Sequence, residues 1–171
     1  MLWKQEGIPH KGWTCVEMID IGEDHESESR RDYYEKCEMC NHEGIRYVHI
    51  MNHQDYSEYL RVGSQCAEKM EDDYVNPQKR EKNLQNKHNR RRNFLLKEWI
   101  EGTGTRKGQY LIYYKNCHIT IMPSHFDSRL YGVQFRNYKK IYYYKNKKIN
   151  SLHIAKLLAF DLLEDYISRS K

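Results

Sequence analysis

Residues 36–70 read KCEMCNHEGIRYVHIMNHQDYSEYLRVGSQCAEKM and contain three of the chain's five cysteines. Cys37 and Cys40 form a C-x-x-C pair, and Cys66 follows later in the segment. A C-x-x-C turn presents two thiolates at nearly the separation that tetrahedral zinc requires. The segment therefore predicts a metal site in which Cys37, Cys40 and Cys66 bind Zn²⁺. The alternative is that the three cysteines are buried thiols without a metal.

The fourth ligand of this site is predicted to be a histidine. His49 is preferred, because it lies on a strand directly after the C-x-x-C pair and one face of that strand can point back to the metal. His53 is the alternative, and His42 is too close to Cys40 to reach the metal easily. A catalytic zinc keeps an open position beside a general base, and deaminases carry H-x-E ahead of P-C-x-x-C. Neither spacing is present here, which favours a structural site.

The residues between and after the cysteines predict a hairpin and a short helix. The runs IRYVHIM (45–51) and YLRVG (59–63) are rich in β-forming residues and can pair across the loop between them. Ser64 can then cap a helix that carries Cys66 in its first turn. A cysteine knuckle, a hairpin and a cysteine at a helix start together predict a treble-clef-like zinc unit.

A further strand is predicted before the cysteines. GWTCVEMIDIG (12–22) alternates so that Cys15, Glu17 and Ile19 share one face. The polar residues 23–36 then predict a solvated loop that leads into the C-x-x-C pair.

The segments CEMCNHEGIRYVHIMNHQDY, VGSQCAEKMEDDYV and KREKNLQNKHNRRRNF resemble a group of small bacterial and phage-borne proteins of unassigned activity. That group carries a C-x-x-C, an IRYVH-x-M-x-H strand and a VGC-x-CA helix start. The resemblance covers about residues 12–100 and implies a zinc-binding fold. Where the group commonly has a second cysteine, this chain has Ser64, which makes a histidine ligand more necessary here.

The net charge of +5 is divided unevenly along the chain. Lysines and arginines minus aspartates and glutamates sum to −9 over residues 1–74 and to +14 over residues 75–171. The second part is therefore the one expected to meet polyanions. No run of 18 apolar residues and no signal-peptide pattern is present, and the odd number of cysteines suits a reducing compartment. A cytoplasmic protein without membrane contact is expected.

Residues 76–101 predict a long basic helix. Asn76 caps it and Pro77 occupies its first turn. Its cations alternate with amide side chains, a mixture that suits phosphates and base edges. The predicted nucleic-acid contacts on this helix are Lys79, Arg80, Lys82, Lys87, Arg90, Arg91 and Arg92. The alternative is a solvated helix that packs against the acidic first part.

Residues 109–171 predict tyrosine-rich strands, with turns at Lys115–Asn116 and around Asn146, followed by one amphipathic helix capped by Asn150 or Ser151. In the strand KKIYYYKNKK, Ile141 and Tyr143 are expected to face the helix, because Ile141 needs apolar cover. Tyr142 and Tyr144 are then expected to face outward as stacking platforms. The predicted nucleic-acid contacts of this region are Lys139, Lys140, Tyr142, Tyr144 and Lys145.

The segment YGVQFRNYKKIYYYKNKKINSLHIAKLLAF resembles, over about 40 residues, the three strands and one helix of Apetala-type DNA-binding domains. In those domains the sheet lies on DNA. This resemblance implies a nucleic-acid-binding sheet in the last part of the chain.

These observations predict an α+β protein in three segments: a zinc-binding unit (1–75), a long basic helix (76–101) and a small antiparallel sheet packed on one helix (109–171). The expected function is non-enzymatic nucleic-acid binding with a structural zinc. The alternative is a phage or mobile-element protein-binding module that inhibits or adapts a host complex through the tyrosine face and the acidic residues 23–35. A nuclease has only scattered histidines and aspartates in its favour.

Overall fold

The structure is a computed structural model that describes residues 1–22, 34–136 and 138–170. The fold is α+β, as predicted, with antiparallel sheets and, within these residues, three α-helices. The predicted loop at 23–36 lies mostly outside the described residues. None of the helices described is long and apolar enough to span a membrane.

The chain divides into two compact units, Met1–His88 (unit 1) and Asn89–Lys171 (unit 2). The boundary lies inside the long basic helix, which was expected to be a segment of its own. Each unit contains its own sheet and its own cluster of buried apolar residues.

Unit 1 is built on a three-stranded antiparallel sheet in the order β1-β2-β3. Its strands are β1 (Thr14–Asp20), β2 (Tyr47–His53) and β3 (Tyr56–Val62). The β2–β3 hairpin closes tightly, because His53 already pairs with Tyr56, so the connection is shorter than the predicted loop.

A β-bulge in β1 changes the expected faces of that strand. Cys15 pairs with Met51, whereas Glu17 pairs with Ile50, and the register shifts between Cys15 and Glu17. Residues that pair directly across strands point to the same face of the sheet. Cys15 therefore lies on the face of Met51 and His49, and the prediction that it shares a face with Glu17 is wrong.

Helix α1 (Ser64–Glu71) packs on β1 and β2 and buries Cys66, Ala67 and Met70. It begins after Gly63, so Ser64, the predicted cap, is instead its first residue. Asp72 ends the helix in a left-handed backbone conformation (φ 56°).

Helix α2 (Asn76–Leu95) begins at Asn76, which was predicted to be its cap and is instead its first residue, and it ends earlier than the predicted residue 101. Phe94 is 1% exposed and packs its ring against Trp99 and Tyr114, and Ile100 then pairs with Leu111 in the sheet of unit 2. Tertiary strand pairing outweighs the local helix propensity after Leu95.

Unit 2 contains a four-stranded antiparallel sheet in the order β4-β5-β6-β7 and a separate two-stranded ladder, β8-β9. The strands are β4 (Ile100–Glu101), β5 (Tyr110–Tyr114), β6 (Cys117–Pro123), β7 (Tyr131–Phe135), β8 (Tyr143–Tyr144) and β9 (Lys147–Lys148). The β5–β6 and β8–β9 turns each consist of a Lys-Asn pair with both residues at positive φ, namely Lys115–Asn116 and Lys145–Asn146. Positive φ at both central residues is the geometry of a tight hairpin turn, which confirms the predicted turn positions.

Helix α3 (Leu152–Arg169) covers β6 and β7. Ser151 caps it, because its Oγ accepts a hydrogen bond from the backbone N–H of Ile154 at 3.2 Å. Asn150 and Ser151 were the two predicted caps of this helix, and Ser151 is the cap in the structure.

Candidate functional site

Three thiols converge in unit 1. The Sγ atoms of Cys37, Cys40 and Cys66 all lie within 4.8 Å of one another. Cys37 and Cys66 are buried and Cys40 is half-buried, and all three carry free thiols. Thiols at this separation suit a metal ion bound by three sulfur ligands, so the predicted cysteine cluster is present.

Backbone hydrogen bonds hold the C-x-x-C pair in place. The N–H of Cys37 donates to the carbonyl of His42 at 2.8 Å, and Asn41, which adopts a left-handed conformation, donates to the carbonyl of Cys37 at 2.7 Å. The N–H of Glu38 donates to the carbonyl of Arg61 on β3 at 3.0 Å. These bonds close the C-x-x-C turn and connect it to β3 of the hairpin.

The surroundings favour an ionised sulfur at Cys37. A hydrogen bond from the Cys66 thiol lowers the pKa of Cys37 to about 5, against the opposing effect of burial, and the backbone N–H groups of Gly63 and Cys40 act in the same direction. The pKa of Cys66 is raised by the same hydrogen bond with Cys37 and by burial. The thiolate is the form that binds metals, so the fold already stabilises one ligand in its binding state.

An open pocket of about 340 Å³ lies beside the three cysteines. Its lining also includes His42 and Glu81, whose side chains are of types that bind zinc, although neither belongs to the group of ligand atoms within 4.8 Å of one another. A fourth ligand for the cysteine cluster can therefore come from the side chains of this pocket or from solvent.

The predicted fourth ligand, His49, does not join the cysteine cluster. Its imidazole belongs to a second group, with Cys15 and Glu71. Cys66 lies in the first turn of α1 and Glu71 ends that helix, and five residues of helix separate them by about 7.5 Å along the axis. His49 lies at the Glu71 end, which is the physical reason for the discrepancy.

His53, the alternative ligand, is also held elsewhere. Its Nδ1 accepts a hydrogen bond from the backbone N–H of Asp55 at 3.0 Å, and its ring packs on Trp13 with centroids 5.2 Å apart. Neither histidine is therefore placed with the three cysteines.

The second group consists of Cys15, His49 and Glu71, with ligand atoms within 4.8 Å of one another. The Sγ of Cys15 lies 3.9 Å from Nδ1 of His49. His49 is 0% exposed, and its Nε2 has no hydrogen-bond partner within the described ranges. Glu71 forms an ion pair with Arg80 of α2.

Both His49 and Cys15 are held in their neutral forms. Burial, together with the positive charge of Arg80, lowers the pKa of His49 to about 4. Burial raises the pKa of the Cys15 thiol. A neutral imidazole and a protonated thiol are not the charged pair that activates a cysteine nucleophile, so the group does not resemble a catalytic Cys–His pair.

The predicted contacts on the basic helix fall into two sets. Three arginines contact side chains of their own unit. Arg80 forms an ion pair with Glu71, and Arg90 donates from Nε to Glu164 at 3.1 Å. The buried Arg91 donates to the Tyr144 hydroxyl at 3.3 Å. The remaining predicted contacts are exposed, namely Lys79, Lys82, Lys87 and Arg92.

The expected orientation of the tyrosine strand is wrong. Tyr143 is 56% exposed, whereas Tyr144 is half-buried and donates from its hydroxyl to Asp161 of α3 at 2.6 Å. Ile141 forms an isolated bridge with Val133, while Tyr143 and Tyr144 belong to the separate β8-β9 ladder. The chain is therefore not one continuous strand, and strict alternation from Ile141 does not apply.

Tyr142 and Tyr143 border a pocket of about 320 Å³ on unit 2, here called the aromatic pocket. Its lining residues are Ser124, Phe126, Leu130, Tyr142, Tyr143 and Lys148. Phe126 is fully exposed. The other predicted contacts of this region, Lys139, Lys140 and Lys145, are exposed as well.

The sequence reasoning missed Phe126, Cys15 and Glu71. Phe126 had a visible signal, since a large aromatic residue in the polar turn PSHFDS has no obvious apolar partner. No sequence signal pointed to Cys15 or Glu71, because the bulge and the helix length that bring them to His49 cannot be predicted from residue spacing.

Comparison of the chain with protein-family models, with curated proteins and with solved structures finds no match.

Proposed function

We propose that the protein is a non-enzymatic nucleic-acid-binding protein whose unit 1 is stabilised by a structural zinc ion. Zinc would be held by Cys37, Cys40 and Cys66, since three clustered thiols are a typical zinc donor set. The knuckle, the hairpin and the helix start around them support a treble-clef-like arrangement. The fourth position would be filled from the adjacent pocket, by His42, Glu81 or solvent.

The aromatic pocket is the observation that carries the nucleic-acid proposal. Exposed aromatic rings cost free energy in water unless they have a partner, and here Phe126 and Tyr143 border one pocket with Lys148. Bases of a single strand stack on such rings, while lysines bind the phosphates between them. Unit 2 carries 17 basic and 6 acidic residues, a net charge of +11, which would attract the strand.

Metal analysis tests the zinc part of this proposal. Cys66→Ser is expected to lower the zinc content of the purified full-length protein by at least one equivalent. Cys117→Ser, which changes a buried cysteine of unit 2, is the matched control and should retain the wild-type content. His42→Ala compared with Glu81→Gln then identifies the fourth ligand. Purified wild-type protein without bound zinc would contradict the proposal.

Fluorescence anisotropy with labelled single-stranded DNA and RNA tests the nucleic-acid part. Phe126→Ala and Tyr143→Ala are each expected to weaken binding by about 1 to 3 kcal/mol, the usual contribution of one stacked base. Tyr113→Ala is the matched control, because Tyr113 is 60% exposed, close to the 56% of Tyr143, and lies on β5 away from the pocket lining.

The salt dependence of binding separates nucleic acid from a protein partner. Lys148→Ala should reduce the slope of log affinity against log salt by up to about 0.7 on a single strand if one phosphate contact is lost. Absence of nucleic-acid binding, combined with salt-tolerant binding of a protein at the aromatic pocket, would overturn the proposal in favour of a protein-binding module.

A further inference from the structure

The second group in unit 1, Cys15, His49 and Glu71, lies outside the cysteine cluster and is not used by the proposed function. It brings one sulfur, one imidazole nitrogen and one carboxylate oxygen within 4.8 Å of one another. A sulfur, a nitrogen and an oxygen donor together match the ligand preferences of a borderline divalent cation such as Zn²⁺.

The buried imidazole is an independent observation that points to a ligand. His49 is 0% exposed; its Nδ1 lies 3.9 Å from the Sγ of Cys15, and its other ring nitrogen, Nε2, makes no hydrogen bond to any described residue. An unsatisfied buried polar atom is unfavourable, so such an atom in a native fold requires an explanation, for example an ion or a water molecule. The group around His49 supplies the two further donors that a metal ion needs.

One neighbouring charge, that of Arg80, opposes a cation beside His49, and its ion pair with Glu71 offsets part of this effect. Arg80 already uses part of the Glu71 carboxylate through an ion pair. An ionised carboxylate has about four lone-pair sites, so Glu71 can accept Arg80 and still bind a metal. An outer partner of this kind commonly orients a ligating carboxylate. On binding, the Cys15 thiol would release its proton to solvent. The thiolate and Glu71 would then carry two negative charges against the three positive charges of the ion and Arg80, which leaves one positive charge in excess.

We infer that Cys15, His49 and Glu71 form a second metal site, distinct from the three-cysteine cluster, that binds one Zn²⁺ with three protein ligands and a solvent molecule. The two sites lie at opposite ends of α1, because Cys66 is in its first turn and Glu71 is its last residue. The ligand types differ as well, with three sulfurs at one site and a single sulfur at the other.

Metal titration of the reduced, metal-free full-length protein tests this inference. Wild type is expected to bind two equivalents of Zn²⁺, and Cys15→Ala one. The matched control Cys117→Ser should still bind two. His49→Ala should also bind one equivalent, but His49 is fully buried and this variant can unfold. Cys15→Ala is therefore the deciding variant, since Cys15 is only half-buried, and circular dichroism checks that it stays folded.

Substitution with Co²⁺ distinguishes this site from the cysteine cluster. Charge-transfer absorption from sulfur to Co²⁺ grows with the number of thiolates, so the cluster should give a strong band and the second site a weak one. Loss of the weak band alone in Cys15→Ala supports the inference.

Two results would overturn the inference. One is a wild-type protein that binds a single equivalent, lost in Cys66→Ser and retained in Cys15→Ala, which would mean that water alone satisfies His49. The other is a folded Cys15→Ala protein that binds as many equivalents as wild type. A wild-type protein with one equivalent that Cys15→Ala removes would support the second site while contradicting the proposed structural zinc.

Discussion

The two units cover their antiparallel sheets with very different helices. In unit 1 the eight residues of α1 lie on β1 and β2, whereas in unit 2 the 18 residues of α3 lie on β6 and β7. Of the twelve described core residues of unit 1, five contain sulfur: Cys37, Met39, Met51, Cys66 and Met70. Among the thirteen described in unit 2, Cys117 is the one cysteine, and the core is otherwise aliphatic and aromatic.

This difference indicates two sources of stability. Burial of apolar surface contributes about 25 cal/mol per Å², so the long helix and large side chains of unit 2 can stabilise it without a cofactor. Unit 1 has a short covering helix and a cluster of thiols, an arrangement in which a metal ion supplies folding free energy. Four experiments test this comparison.

Removal of metal is expected to unfold unit 1 and leave unit 2 folded. Structural zinc contributes on the order of 10 kcal/mol to the folding of small zinc domains. Hydrogen exchange after chelation should show loss of protection in β1, β2, β3 and α1, with protection retained in β6, β7 and α3. Equal loss in both units would mean that their stabilities are not independent.

Phe160→Ala is expected to destabilise unit 2 by about 3 to 5 kcal/mol, because the ring is 2% exposed and packs against Phe94 with centroids 5.7 Å apart. Urea unfolding of the full-length protein measures the change. Phe126→Ala is the matched control, since Phe126 is fully exposed and its removal should leave stability unchanged. Similar losses in both variants would contradict the assignment of the unit 2 core.

Tyr144→Phe is expected to cost unit 2 about 1 to 2 kcal/mol, because it removes the hydroxyl that donates to Asp161 at 2.6 Å in a half-buried position. Tyr143→Phe is the control and should have no effect on urea unfolding, since Tyr143 faces solvent. The opposite result would restore the orientation predicted from the sequence.

Asp73→Ala is expected to fray the start of α2 without unfolding unit 1. The Asp73 carboxylate accepts hydrogen bonds from the backbone N–H groups of Val75 and Asn76 at 2.9 and 3.0 Å. These bonds hold the pKa of Asp73 below its usual value, so their contribution is present above the usual pKa and is lost as pH falls through the lowered one.

Amide exchange of Val75 and Asn76 at several pH values measures this effect. Acidification should speed exchange in wild type and change little in Asp73→Ala, apart from the intrinsic pH dependence of exchange. An identical response of the two proteins would show that Asp73 does not hold the helix start.

Local sequence signals predicted the features that depend on a few neighbouring residues. The C-x-x-C pair and a cysteine at a helix start were enough to anticipate the cysteine cluster, because a tight turn and a first helical turn have nearly fixed geometry. The Lys-Asn hairpin turns and the cap at Ser151 were anticipated for the same reason.

Features that depend on register were not predictable from spacing. The bulge in β1 moved Cys15 to the face of His49, and the break after Ile141 turned Tyr144 inward and Tyr143 outward. One residue of register reverses the face of every side chain that follows. The placement of His49 was missed because it depends on where α1 ends at Glu71, which is set by packing on the sheet.

The two Lys-Asn turns suggest where the protein could be made more heat-resistant. Lys115 and Lys145 adopt left-handed backbone at φ 49° and 47°, a conformation that costs a residue with a side chain about 1 to 2 kcal/mol and glycine almost nothing. Glycine at either position would relieve that strain and remove a positive charge from a hairpin tip. A thermostable variant obtained in this way would therefore lose part of its attraction for polyanions.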